Sequence, residues 1–171
     1  PCHDPRQIEK RFFKPMRNLI QMNYFKFRVR GANYIPTEGP IIFVANHSGW
    51  VALDALFLML AVKDTAGPDF LPYLIVHDML IKIPLTYHFL KDLGLIPADW
   101  LHYGREPLPP ELNPIAIFPE GASGNSKPFW KAYHMQNWKT GFVRLAIQRK
   151  AKVVPVAIIG GEESLPVAAT I

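Results

Sequence analysis

Three side chains suited to proton transfer stand close to points where apolar runs of the chain end. His47 comes two positions after the apolar run 41–45. Glu120 comes two positions after a second run, 115–118. Imidazole exchanges protons near neutral pH, so His47 is a candidate general base. Such a base needs a carboxylate that holds its tautomer and stabilises the imidazolium, and Asp54 is the nearest in sequence.

The spacing between His47 and Asp54 leaves two geometries open. Seven positions are nearly two helical turns, so a helix beginning at His47 would place both side chains on one face, about 10 Å apart along the axis. If Ser48 and Gly49 form a loop instead, Asp54 folds back and reaches the imidazole ring. A structural role for His47 and a turn or capping role for Glu120 are the alternatives to catalysis.

Length and composition exclude several classes of protein. The chain has 171 residues, of which 49% are hydrophobic and 19% are charged, as expected of one globular domain rather than a disordered chain. A single cysteine, Cys2, excludes a disulfide scaffold. The longest nearly apolar stretch, 50–62, is shorter than the about 20 residues that cross a bilayer. The histidines show no metal-ligand spacing, and we expect neither a metal nor a bound cofactor.

The excess positive charge lies in the first thirty residues, which hold eight basic and two acidic side chains. Apolar residues recur there at helical spacing: Ile8, Phe12, Phe13, Met16, Leu19 and Ile20. We therefore predict a basic amphipathic helix over 1–24, kinked at Pro15. Such a helix is typical of docking on an anionic membrane surface, and the alternative is that its apolar face packs on the domain. No nucleic-acid-binding motif accompanies the basic residues, so nucleic acid is not an expected partner.

Apolar runs that alternate with helical patterns predict an α/β fold: a single domain with a largely parallel or mixed central sheet flanked by helices. The predicted strands cover 25–29, 41–45, 71–76, 115–118 and 153–159. The predicted helices cover 53–62, 78–92 (interrupted near Pro84) and 140–150. Pro155 inside the last strand indicates an edge position or a bulge. Residues 25–171 form the predicted main domain.

Four segments, in this order, resemble the glycerolipid acyltransferase superfamily, which includes glycerol-3-phosphate and lysophosphatidic acid acyltransferases. They are Asn46-His47 with Asp54, Gly94-Leu95-Ile96-Pro97-Ala98, Phe118-Pro119-Glu120-Gly121, and Val154-Pro155-Val156-Ala157-Ile158. The resemblance runs from about residue 29 to residue 163. Six residues separate His47 from Asp54, whereas the family usually has four. Members that bind glycerol phosphate often carry an arginine just after the second segment, and here the nearest is Arg105. The family domain commonly continues further, so 25–171 is expected to be truncated at its C-terminus.

The resemblance implies acyl transfer from acyl-CoA, or from acyl carrier protein, to the hydroxyl of a lysophospholipid or glycerol-phosphate acceptor. His47 would take the hydroxyl proton, and Asp54 would orient His47. Glu120 and Gly121 would hold the acceptor, and Ser48 would donate to the developing oxyanion or cap the next helix. Three cations are candidate contacts for phosphates, on charge alone: Arg105, Lys127 and Lys131. Lipid substrates imply a peripheral, monotopic protein on the cytoplasmic face of a membrane.

Two other functions compete with acyl transfer. A serine acyl-thioester hydrolase needs a Gly-x-Ser-x-Gly turn, and the nearest string, 121–125, departs from that pattern. Cys2 is too near a terminus to be a credible nucleophile. In a non-catalytic membrane lipid-binding module, His47 and Asp54 would be structural. Loss of turnover in His47→Ala, with the fold intact, would separate the transferase from the binding module.

Overall fold

Five short strands form one parallel sheet in a computed structural model that describes residues 3–48, 53–68, 70–100 and 107–164. The strands are β1 (Ile41–Ala45), β2 (Tyr73–Val76), β3 (Leu95–Pro97), β4 (Ile115–Ile117) and β5 (Lys152–Val156). Their order across the sheet is β3-β2-β4-β1-β5. Helices lie between the strands along the chain, so the predicted α/β fold is confirmed.

The helices are short except for one. They are α1 (Pro5–Ile8), α2 (Lys14–Gln21), α3 (Leu53–Ala66), α4 (Asp78–Lys82), α5 (Pro84–Leu90), α6 (Ala122–Asn125), α7 (Gly141–Arg149) and α8 (Gly161–Ser164). A π-helical turn, Glu9–Phe13, joins α1 to α2. Single 3₁₀ turns cover Ala32–Tyr34 and Phe129–Lys131. Pro84 starts α5, where its missing N–H costs no helical hydrogen bond, so the predicted interruption is confirmed.

β1 lies between β4 and the edge strand β5, and all five of its residues are buried. In the register of the ladders, Val44 stands opposite Ile117 of β4 on one side and Pro155 of β5 on the other. The three strands therefore end close together at one edge. Pro155 lies on an edge strand, as predicted, because proline cannot donate to a second ladder.

The apolar face of the N-terminal helical segment packs on the domain. Ile8, Phe12, Phe13 and Met16 are all buried in the main core cluster, together with residues of α3 and the sheet. The exposed side carries Arg6, Lys10 and Lys14. Of the two roles predicted for this stripe, packing is the one that the structure contains. Pro15 lies in the first turn of α2, directly after the π-helical turn, rather than inside a continuous α-helix.

One local prediction was wrong, and one strand was not predicted. Residues 25–29 form no strand. Phe25 and Phe27 instead pack on Phe57 of α3, at ring-centroid distances of 5.2 and 5.1 Å. Their alternation with charged residues reflects this contact and not pairing in a sheet. β3 was not predicted, since three residues between Gly94 and a proline give too short a pattern. Along the described residues, no helix is long and apolar enough to cross a membrane.

Candidate active site

The candidate site forms where β1, β4 and β5 end. The chain leaves β1 into Asn46 and His47, and leaves β4 into Phe118 and Glu120. Because parallel neighbours end at the same edge of a sheet, segments far apart in sequence meet here. This is the edge at which open α/β sheets hold their ligands.

His47 and Asp54 are in direct contact. Nδ1 of His47 lies 2.6 Å from Oδ2 of Asp54. The Asp54 side chain is fully buried, whereas 12% of the His47 side chain is exposed. A carboxylate accepts hydrogen bonds, so the proton of the neutral imidazole belongs on Nδ1, and Nε2 keeps its lone pair. This is the orientation that a histidine general base requires.

Two main-chain donors fix the Asp54 carboxylate. The N–H of Ser48 donates to Oδ2 at 2.7 Å, and the N–H of Ala55 donates to Oδ1 at 2.8 Å. Asp54 stands in the first turn of α3, where free N–H groups and the helix dipole stabilise a negative charge. Asp54 therefore reaches the ring directly and does not lie about two helical turns from His47; residues 49–52 lie outside the described residues.

Packing holds the His47 ring and its backbone in place. The ring lies against Phe118, with centroids 4.5 Å apart and planes at 33°. On the other side, α6 approaches so closely that a Cβ added to Gly124 would lie 3.0 Å from the His47 Cβ and 2.7 Å from the Glu120 Cβ. Only glycine permits this approach, so Gly124 is a site residue that the sequence motifs did not reveal.

Glu120 binds the protein's own backbone, not a position open to an acceptor. It is 1% exposed, and both of its oxygens are occupied. Oε1 accepts the N–H of His47 at 3.0 Å, and Oε2 accepts the N–H of Gln136 at 2.7 Å. Glu120 therefore joins the loop after β4 to the loop after β1, and its predicted contact with the acceptor stays a prediction.

Lys127, which was predicted as a phosphate contact, is buried. Its ammonium lies 3.0 Å from Oε1 of Glu162 and donates to the carbonyl of His134 at 3.3 Å. A cation that is already paired and enclosed is not presented to a substrate phosphate. Lys131, by contrast, is exposed. Arg105 lies outside the described residues.

Ser48 and Gly121 occupy tight positions. The Ser48 hydroxyl is buried without a hydrogen-bond partner among the described residues, and it points to Gly161, where any added Cβ would clash with it. Its predicted part as an oxyanion donor stays a prediction. Gly121 has a φ of +56°, which glycine tolerates, and its N–H closes a turn on the carbonyl of Phe118 at 2.9 Å.

Asn46 was not among the predicted site residues, although it directly precedes His47. Its side-chain amide forms two hydrogen bonds with the backbone of Ile158, which lies beyond the end of β5. Nδ2 donates to the Ile158 carbonyl at 2.8 Å, and the Ile158 N–H donates to Oδ1 at 2.7 Å. An asparagine at the end of a buried strand is the sequence signal for such a link, because a buried amide needs partners of both kinds.

A cavity of about 500 Å³ opens at the same edge, beyond the ends of β2 and β3. It is lined by His77, Asp78, Met79, Lys82, Ala98, Asp99 and Lys139. Lys139 connects it to the candidate site: its N–H donates to the carbonyl of Pro119 at 3.1 Å, and its Nζ lies 3.7 Å from the Cβ position of Gly121. These cavity residues were not singled out from the sequence. Across the described ranges, no three histidine, cysteine or acidic side chains form a group that could hold a metal ion.

Comparison with known proteins agrees with this geometry. The model of the family described as Acyltransferase matches residues 26–159. An uncharacterised protein of Mycobacterium leprae is 33% identical over 154 residues, which cover 90% of this chain and 41% of that protein. Uncharacterised proteins of Mycobacterium bovis and Mycobacterium tuberculosis show the same identity over 90% of this chain and 42% of their own length. The chain thus spans less than half of these relatives. No solved structure matches it significantly.

Proposed function

Because the chain belongs to the Acyltransferase family, we propose that it transfers a fatty acyl group from a thioester to the hydroxyl of a glycerol-based acceptor. The donor is acyl-CoA or acyl carrier protein, and the acceptor is a lysophospholipid or a glycerol phosphate. Acyl transfer in general follows from the family. The donor, the acceptor and the role of each residue are parts of the proposal.

The observation that carries the proposal is the contact of 2.6 Å between Nδ1 of His47 and Oδ2 of Asp54. It leaves Nε2 as the basic atom of a ring that is only slightly exposed. The geometry of a histidine held by a buried carboxylate is the one that general-base catalysis uses, and such assistance is worth about 10²–10⁴ in rate.

The reaction needs one proton acceptor and no covalent intermediate on the protein. Nε2 of His47 accepts the proton of the acceptor hydroxyl while its oxygen attacks the thioester carbonyl carbon. The tetrahedral intermediate collapses, the carbon–sulfur bond breaks, and the imidazolium returns the proton to the leaving thiolate. Asp54 stabilises the imidazolium between these two steps.

The cavity next to the Phe118–Gly121 turn is the proposed place for the polar part of a substrate. His77, Lys82 and Lys139 supply donors to it, and Asp78 and Asp99 supply acceptors. Lysine ammonium groups are suited to phosphate, whereas carboxylates accept from free hydroxyls. A substrate that carries both kinds of group, such as a glycerol phosphate, fits this mixed lining.

We also propose that the protein acts at an anionic membrane surface, with the cavity side facing the lipid. Exposed apolar side chains lie on the two segments that contribute Lys82 and Lys139 to the cavity lining: Met79, Ile83, Leu85 and Tyr87 on and between α4 and α5, and Trp130, Met135 and Trp138 before Lys139. Lys82 and Lys139 add positive charge to the same side. Exposed tryptophan, methionine and leucine near lysines are characteristic of interfacial binding.

Flotation with vesicles tests the membrane proposal. We expect the chain to float with phosphatidylcholine vesicles that contain phosphatidylserine, and the double variant Met79→Glu/Leu85→Glu to stay in the dense fraction. Tyr34→Glu is the matched control, since Tyr34 is as exposed but lies on another segment. Unchanged flotation of the double variant, with loss in Lys10→Glu/Lys14→Glu, would assign docking to the N-terminal helical segment instead.

Release of CoA from palmitoyl-CoA, measured with and without lysophospholipids and glycerol 3-phosphate, tests acyl transfer. We expect release that depends on an acceptor and disappears in His47→Ala. Release that depends on His47 without any acceptor would indicate a thioester hydrolase. Acceptor-dependent release that is equal in the variant would remove His47 from the mechanism. Absence of turnover in the folded wild-type chain, with lipid binding retained, would favour a binding module.

A further inference from the structure

One lysine is enclosed between two buried carboxylates next to the candidate active site. Only 4% of the Lys127 side chain is exposed. Its Nζ lies 3.0 Å from Oε1 of Glu162 and 3.9 Å from Oε2 of Glu120. Nζ also donates to the carbonyl of His134 at 3.3 Å. A buried ammonium is costly unless it is paired, so this cation is held by all three groups together.

Glu120 passes the effect of this cation to His47. Its Oε2, the oxygen nearest to Lys127, accepts the N–H of Gln136, and its Oε1 accepts the N–H of His47. Each of the two oxygens thus accepts one main-chain N–H, so both bonds depend on where the Glu120 carboxylate lies. The position of the His47 backbone therefore depends on the orientation of Glu120.

Lys127 supplies the positive charge between two buried carboxylates, those of Glu120 and Glu162. Glu120 and Glu162 are both buried, and Oε2 of Glu162 has no hydrogen-bond partner among the described residues. Without the ammonium, two neighbouring carboxylates would share a poorly solvated space, and their repulsion would displace the Glu120 side chain from its two backbone donors.

We propose that Lys127 is a positioning residue of the acyl-transfer site, which holds the Glu120 carboxylate in place and thereby fixes the backbone of His47. This rests on the proposed function only for its effect on turnover. Glu162, on α8 after β5, completes the arrangement, so the segment beyond the last strand supports the catalytic histidine through Lys127.

Steady-state kinetics of Lys127→Met, beside the exposed control Lys91→Met, form the first test. We expect kcat to fall by about tenfold or more, since a small displacement of a catalytic group is costly, while KM for palmitoyl-CoA changes little. Lys127→Arg, which keeps the charge, should recover most of the loss. Equal kcat in Lys127→Met and wild type would overturn the proposal.

A second variant protects the test against a failure to fold. Lys127→Met/Glu162→Gln removes one positive and one negative charge, so the buried group keeps its net charge. If Lys127→Met unfolds, the double variant should fold. Its Glu120 carboxylate lacks the ammonium that faces Oε2 in the wild type, so the His47 backbone should still be held less well and kcat should still be lowered. Wild-type kcat in the double variant would overturn the proposal.

Amide hydrogen exchange tests the positioning without any turnover. In Lys127→Met the N–H groups of His47 and Gln136 should exchange at least about tenfold faster than in wild type, beyond any change shared by the amides of β1. Unchanged protection of both amides would overturn the proposal even if the enzyme is active. If the wild-type chain transfers no acyl group, the proposed function fails, and this measurement alone decides the role of Lys127.

Discussion

Glu120 holds the backbone of His47, whereas Asp54 holds its ring. The two residues are 73 positions apart, and Oε1 of Glu120 accepts the His47 N–H at 3.0 Å. The ring is held separately, by Asp54 on one side and Phe118 on the other. The carboxylate of Glu120 thus orients the backbone of His47, and the carboxylate of Asp54 orients its imidazole.

Replacing Asp54 by Asn should reduce kcat for acyl transfer by about 10²–10⁴. An amide can donate to Nδ1 of His47, which would place the ring proton on Nε2 and remove the basic atom. The measurement is the initial rate of CoA release with a saturating acceptor. Asp64→Asn, on the exposed side of the same helix, serves as the control and should keep the wild-type rate. A full rate in Asp54→Asn would show that the tautomer of His47 is irrelevant.

Gly124→Ala should disturb the hydrogen bonds that join His47 to Glu120 and to Asp54. The new Cβ would lie 2.7 Å from the Glu120 Cβ and 3.0 Å from the His47 carbonyl oxygen, which is closer than such contacts allow. We expect a loss of about 1–3 kcal/mol in the free energy of unfolding, measured in urea, and a lower kcat. Ser123→Ala in the same short helix is exposed and should change neither. Wild-type stability in Gly124→Ala would mean that α6 moves away at little cost.

Asn46→Ala should weaken the link between the ends of β1 and β5. It removes two hydrogen bonds to the backbone of Ile158 and leaves both main-chain groups without a protein partner. The expected loss in the free energy of unfolding is about 1–3 kcal/mol. Asn137→Ala, at an exposed position, is the control. Equal urea midpoints for the two variants would show that solvent replaces the Asn46 amide.

We predict that His3 contributes to the loss of folding stability at acidic pH. Burial lowers the pKa of His3, and the ring packs on Tyr73 with centroids 4.1 Å apart. The folded state therefore binds the proton less readily than the unfolded state, whose pKa is about 6.5. The contribution of the neutral ring is present above that pH and is lost as the pH falls through it toward the lower, folded value.

His3→Phe keeps an aromatic ring and removes the titration. Between pH 7 and pH 5, the urea midpoint of the wild-type chain should fall more steeply than that of the variant. Arg6→Gln, at an exposed position on α1, is a control for a change in the same segment. Parallel pH dependence of His3→Phe and wild type would show that His3 does not contribute.

The sequence pattern was sufficient to predict the buried strands β1 and β4, but it missed β3 and wrongly predicted a strand at 25–29. β1 and β4 are fully apolar, so their burial could be predicted from the run alone. β3 is three residues long, and its pairing depends on β2, which lies about twenty positions earlier. The alternation at 25–29 had the period of a strand but comes from packing on Phe57. Period identifies a buried face without identifying what buries it.

Those residues of the candidate site that have reactive side chains and follow a strand closely could be predicted from the sequence. His47 and Asp54 could be chosen by residue type, and only the fold decided between the helical and the looped geometry. Lys127 could not be placed, because a lysine is usually exposed, and its partners Glu120 and Glu162 are 7 and 35 positions away. Long-range ion pairs of this kind leave no local pattern.

The central claim is that Nε2 of His47 activates the hydroxyl of an acceptor. The most direct measurement supplies palmitoyl-CoA labelled in its acyl carbonyl carbon, together with a lysophospholipid, and identifies the labelled product by mass spectrometry for wild type and His47→Gln. The account predicts a labelled ester of the acceptor from the wild-type chain and none above background from His47→Gln with the same melting temperature. Labelled ester formed equally by both proteins, or labelled palmitate as the only product of the wild type, would contradict it.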